Sequence, residues 1–145
     1  LGDEALKAVS GAIHGSVRKV DAVARYGGEE FCVILPRSDA AAAVEVAQKL
    51  CESVQECSVR GADKQPFGAL TLSIGVAVFP DDTHFRELHA ASRSLLDAAD
   101  AALYAAKAKG RNRVETYGAG VGQAERVPTL PRAGGDVPTG PERPQ

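Results

Sequence analysis

The chain has 145 residues, a formal net charge of -2, and a composition of 44% hydrophobic and 25% charged residues. That balance suits one modest soluble domain and argues against the basic surface that nucleic-acid binding requires. No apolar run approaches the roughly 18 residues that cross a bilayer. The start, LGDEALKAV, has no basic segment leading into an apolar one, so no secretory signal is expected. It also lacks an initiator Met, as a piece of a longer protein would. Cys32, Cys51 and Cys57 are odd in number and show no CxxC spacing. That favours buried, reduced thiols and a cytoplasmic location.

In chain order, Leu6, Val9, Ile13 and Val17 recur at helical spacing, with Asp3 as the expected N-cap and Gly15 loosening the end. Val20 to Tyr26 and Phe31 to Leu35 read as strands joined by a glycine-containing tip. Pro36 and Ser38 end the second strand and open a helix lined by Ala43, Ala47, Leu50 and Val54. After a polar loop around Gly61 to Pro66, the run Leu70 to Phe79 is β-branched and apolar, as a buried strand should be, and Pro80 ends it. Leu96, Ala99, Leu103 and Ala106 mark a last amphipathic helix with Gly110 at its C-cap, and Val114 to Tyr117 form a short final strand. From Gly118 onward the chain holds five of its eight prolines and no aromatic residue, so residues 118–145 are expected to be a disordered tail. The order helix, strand, strand, helix, strand, helix, strand predicts an α+β fold, a sheet with helices packed on it. No GxxxxGK(S/T) run is present, which excludes a P-loop.

The stretch RYGGEEFCVIL, Arg25 to Leu35, sets paired glycines and paired carboxylates at the hairpin tip. Gly-Gly accepts the positive φ angles of a tight turn. Without β-carbons, Gly27 and Gly28 let a phosphate approach the backbone amides. Glu29 and Glu30 offer hard oxygen ligands, and Mg²⁺ is commonly held by one or two carboxylates together with substrate phosphates. Adjacent carboxylates repel, so a cation is expected beside them. Lys107 and Arg111, four apart near a helix end, could clamp a triphosphate or simply offset the helix dipole. His84 and His89, near Asp81 and Asp82, invite a metal reading, but their spacing fits no familiar pattern.

Four blocks in order, LGDEAL, RYGGEEF, SIGVAVFP and ADAALYAAKAKGRNRV, resemble the GGDEF-domain diguanylate cyclases from Leu1 to about Tyr117. The resemblance implies a nucleotide-cyclase or polymerase-palm fold with an antiparallel sheet flanked by helices. It implies condensation of two GTP into cyclic di-GMP with release of pyrophosphate, using Mg²⁺ or Mn²⁺, in a homodimer governed by an upstream sensor domain. By resemblance, Gly27 and Gly28 lie against the phosphates. Glu29 is the essential metal ligand and proton acceptor, and Glu30 a supporting metal ligand. Asp3 matches a guanine-reading aspartate, while Lys107 and Arg111 match contacts to the terminal phosphates. The tetrad RKVD matches a product-inhibition site, in which Arg18 grips the cyclic dinucleotide and Asp21 orients it.

One departure is important. The family carries, before the block that begins here at Leu1, a strand with a further metal-binding aspartate, and it is expected in the middle of the sheet. Without it the 145 residues are expected to be inactive or weak, with an open strand edge. Two rival readings follow: a cyclic di-GMP receptor that no longer catalyses, and a structural module that binds no nucleotide.

Overall fold

The computed structural model describes residues 2–79 and 88–118. Asp81, Asp82, His84, the side chain of His89 and the tail beyond residue 118 lie outside the described residues. Helix α1 spans Asp3–Ser16 and buries Ala5, Val9 and Ile13, the stripe that the spacing predicts. Its N-cap is Gly2 rather than Asp3, with the Leu6 N–H donating to the Gly2 carbonyl at 3.1 Å. Asp3 is thus the first helical residue. Its charge still suits the positive end of the helix dipole, but its carboxylate is not the cap.

Strands β1 (Ala22–Arg25) and β2 (Phe31–Ile34) form an antiparallel hairpin, with Ala22 opposite Ile34 and Arg25 opposite Phe31. Helix α2 (Ala40–Gln55) follows and buries Ala43, Ala47, Leu50, Cys51 and Val54. Its cap is Asp39, whose carboxylate accepts from the Ala42 N–H at 2.8 Å. Replacing Asp39 with alanine is expected to lower stability by about 1 kcal/mol. Urea unfolding measures this, and an unchanged midpoint would remove the capping role.

After a 3₁₀ turn at Ala62–Lys64, strand β3 (Ser73–Val76) runs parallel to β4 (Arg113–Thr116), with α3 (Leu88–Ala108) crossing between them. The antiparallel expectation therefore holds for β1–β2 and fails for this pair. A parallel pair needs a long crossover, and the 21-residue α3 provides it. The described strands form two separate two-stranded sheets, so β2 and β3 each have a neighbour on one side only.

Side-chain alternation decides what each face meets. Ile74, Val76 and Val114 face α2, where Ala43 and Ala47 receive them, while Val23, Phe31 and Val33 pack on the cluster of Ala5, Val9, Ile13, Leu50 and Val54. Ile74 touches both clusters and so joins the two sheets over one helical layer. Gly75 faces the other way, and the backbone of α3 at Ala99 and Leu103 lies directly on it. The buried row of α3 is accordingly Ala98, Ala102 and Ala106, small residues that permit this approach. Among the described residues nothing covers Ile34 on the other face of the hairpin, where it is 60% exposed. The three cysteines are free thiols, and burial pushes the pKa of Cys51 up, with Glu52 adding to the shift. No helix among the described residues is long and apolar enough to cross a membrane.

Candidate functional site

The β1–β2 tip closes on one carbonyl oxygen. The Tyr26 and Gly27 N–H groups both donate to the Glu30 carbonyl, at 2.8 and 3.2 Å. Neither Gly27 nor Gly28 takes a left-handed φ, so the expectation that the turn needs their positive angles is not met. What the glycines supply is space. A β-carbon on Gly27 would stand 3.0 Å from Glu30 Oε2, so its absence lets the Glu30 carboxylate fold back over the loop. Around Gly28 nothing lies within 4 Å of where a β-carbon would sit, and its N–H has no partner among the described residues. The outer side of the tip is therefore open backbone with a free donor.

Arg25, to which sequence reasoning assigned no role, braces this loop. Its Nη2 donates to the Gly28 carbonyl at 2.7 Å and its Nε to the Gly27 carbonyl at 3.3 Å. The signal was available: a guanidinium one turn before two glycines can reach carbonyls that no side chain of their own shields.

The carboxylates have the cationic company their adjacency demands. Lys107 Nζ lies 3.9 Å from Glu30 Oε1, with both side chains about half exposed. The charge of Lys107 is among the influences that hold Glu29 below the usual carboxylate range. That charge favours the Glu29 anion.

Lys107 sits in the last turn of α3, which ends in a Schellman motif. The Arg111 N–H donates to the Ala106 carbonyl at 3.0 Å, and Gly110, at φ 114, takes the left-handed position. Arg111 has φ 63 and Asn112 φ 48, so Arg111 stands beyond the helix and shares no helix face with Lys107, contrary to the expectation from spacing. Gln55 Nε2 donates to Asn112 Oδ1 at 2.7 Å and ties this turn to the end of α2. No hydrogen bond or ion pair among the described residues joins Arg111 or Asp3 to the tip. Asp3 instead lines a separate cavity of about 330 Å³ with Glu4, Val59, Arg60, Gln65 and Leu70.

Arg18 and Asp21 form a preorganised pair. Arg18 Nη2 and Nε donate to Asp21 Oδ1 at 2.8 and 3.2 Å, and the Arg18 backbone N–H donates to Asp21 Oδ2 at 2.7 Å. The Arg18 Nη2 group also reaches the Pro36 carbonyl at 3.0 Å and Ser38 Oγ at 3.2 Å. The Asp21 side chain is 1% exposed, against 53% for Arg18, which covers it. The side-chain hydrogen bond from Arg18 holds Asp21 below the usual carboxylate range and raises Arg18 in turn. For a depressed carboxylate, the stability contribution is full above its unfolded value of about 3.9 and is lost as pH falls through the lower folded value. Melting curves of Asp21→Asn against pH should therefore show a shallower loss of stability below about pH 4 than the parent chain. Parallel acid limbs would show that Asp21 contributes nothing there.

The family model for the diguanylate cyclase GGDEF domain matches residues 1–113. Diguanylate cyclase DosC of Escherichia coli strain K12 is 38% identical over 116 residues, covering 80% of this chain and 24% of that protein. Diguanylate cyclase A of Treponema denticola is 40% identical over 113 residues, covering 78% of this chain and 28% of that protein. The chain thus spans about a quarter of the length of these curated relatives. Among solved structures, the GGDEF domain of DgcB from Caulobacter crescentus, in complex with c-di-GMP, superposes with a TM-score of 0.64 at 32% identity, covering 79% of this chain and 64% of that one. With the GGEEF tip, the braced turn and the α3 lysine in place, the chain belongs to the GGDEF family of diguanylate cyclases.

Proposed function

We propose that the chain supplies the catalytic tip of a cytoplasmic diguanylate cyclase that joins two GTP molecules into cyclic di-GMP. The observation that carries this reading is the tip itself, where the open Gly28 amide adjoins two carboxylates and an α3 lysine meets one of them. Glu29 and Glu30 are the residues that would hold Mg²⁺ or Mn²⁺. No group of three or more His, Cys, Asp or Glu ligands occurs among the described residues. That donor set fits an ion shared with substrate phosphates and does not fit an all-protein cage. When bound, such an ion neutralises charge on the phosphoryl centre.

The chain's own residues do the rest. The Gly28 N–H donates to a phosphate oxygen, and Glu29, already anionic, accepts the proton of the attacking 3′-hydroxyl. The new bond joins that 3′-oxygen to the α-phosphorus of the second GTP as the bond to pyrophosphate breaks. Lys107 and Arg111 offset charge on the terminal phosphates, and Asp3 accepts from the N–H edge of guanine in its cavity. Because each chain presents one GTP, two chains must face each other, so the active form is a homodimer whose pairing an upstream sensor domain would control. The unpaired sides of β2 and β3 support the expectation that a further strand, bearing the second set of metal ligands, completes the domain.

The test is to incubate the full-length protein with GTP and Mg²⁺ and to follow pyrophosphate and cyclic dinucleotide together. Two pyrophosphates per product are expected, with little turnover by the 145 residues alone. A full-length protein that consumes no GTP would overturn the cyclase reading. The preformed Arg18–Asp21 pair favours the receptor as the second reading. That reading requires product binding, lost in Arg18→Ala, with no GTP consumed.

A further inference from the structure

Arg37 is exposed and sits at φ 56, where the β-carbon of any L-residue crowds its own backbone and glycine would fit without strain. The fold gains nothing visible in return, since the Arg37 side chain has no hydrogen bond or ion pair among the described residues. Strain kept without a structural reward is a reason to look for a ligand. The neighbours of Arg37 indicate which one. Arg18 Nη2 donates to the Pro36 carbonyl and to Ser38 Oγ, the residues on either side of Arg37. Arg18 spends Nε and Nη2 on these contacts and on Asp21, and its Nη1 has no partner among the described residues. The turn that Arg18 grips thus also carries Arg37. Asp21 compensates Arg18, and Asp39, two residues after Arg37, is engaged with the Ala42 N–H at the start of α2.

We propose that Arg37 is a second cation of the Arg18 site and binds a phosphodiester of the cyclic dinucleotide that Arg18 holds. This rests on the reading of Arg18 and Asp21 as a product-binding pair. A guanidinium suits the task because its planar fork meets two oxygens of one phosphate. Arg37 lies between the two residues that Arg18 bonds, although the two arginines are far apart in sequence. Ser38 acts as a positioning residue, since its hydroxyl helps hold the Arg18 head against the same turn.

Titrating cyclic di-GMP into the chain by calorimetry, alongside thermal melting, tests the assignment. Arg37→Gly is expected to weaken binding about tenfold while melting no lower than the parent, because glycine relieves the strain. Arg37→Lys should keep more of the affinity than Arg37→Gly. An Arg37→Gly protein that binds normally, while Arg18→Ala does not, overturns the role of Arg37 and leaves the product-site reading standing. A lower melting temperature for Arg37→Gly would make the residue structural and would also overturn the assignment. If the parent chain and the full-length protein both fail to bind, the product-site reading falls and takes the inference with it.

Discussion

Glu29→Ala in the full-length protein is expected to reduce cyclic di-GMP synthesis by about a thousandfold, the scale on which losing a preorganised charge at a reacting centre is felt. Glu29 adjoins the open side of the tip at Gly28 and is exposed, so it has access to whatever docks there. Glu30 is a weaker bet for the same loss, because part of its charge is already committed to Lys107. Glu29 is exposed and lies outside the core, so the variant should fold normally, which circular dichroism can check. Activity within tenfold of the parent, in a folded variant, would remove Glu29 from the chemistry.

The second large effect is structural. A β-carbon on Gly75 would overlap the Ala99 carbonyl oxygen and the Leu103 amide nitrogen, and would stand 2.9 Å from Leu103 Cα. These are backbone atoms in mid-helix, and no rotamer change can clear them. Gly75→Ala must therefore push α3 off β3, at a cost of about 3 kcal/mol or more. The melting temperature should fall by more than about 10 °C. Gly28→Ala, at an open position, serves as the control for a glycine whose loss the fold should tolerate. Equal melting temperatures for the Gly75→Ala protein and the parent would mean that α3 packs less closely than the structure has it.

The helices were legible because a period of 3.6 needs only a local pattern, and Ala43, Ala47, Leu50 and Val54 are indeed the buried row of α2. In α3 the pattern pointed to Leu96, Ala99, Leu103 and Ala106, and of these only Ala106 lies deepest, together with Ala98 and Ala102. Hydropathy favours leucines at the centre of a face, whereas the close seat of the helix backbone on Gly75, at Ala99 and Leu103, leaves room only for small side chains beside it. Strands were overextended for a related reason. The apolar run Leu70 to Phe79 is long, but pairing sets strand length, and β4 offers only four partners to Ser73–Val76. At the site, the GGEEF tip was visible as chemistry, while the role of its glycines was misjudged, since space rather than φ decides them. Arg25 over the tip carbonyls, Arg18 against Pro36, and the strain at Arg37 are tertiary or conformational facts that no local pattern encodes.

Among the described residues, the acid pair sits on a hairpin whose backbone ladder is its own. Val23, Phe31 and Val33 seat it on the helical layer, and the further strand proposed above would join its ladder to that of β3. The Lys107–Glu30 contact is the strut that ties its far end to α3, and a strut made of two half-exposed charges yields readily to any stronger partner for either one. Any stronger partner for Lys107 or Glu30 would therefore loosen the tip from α3 without disturbing the core beneath it.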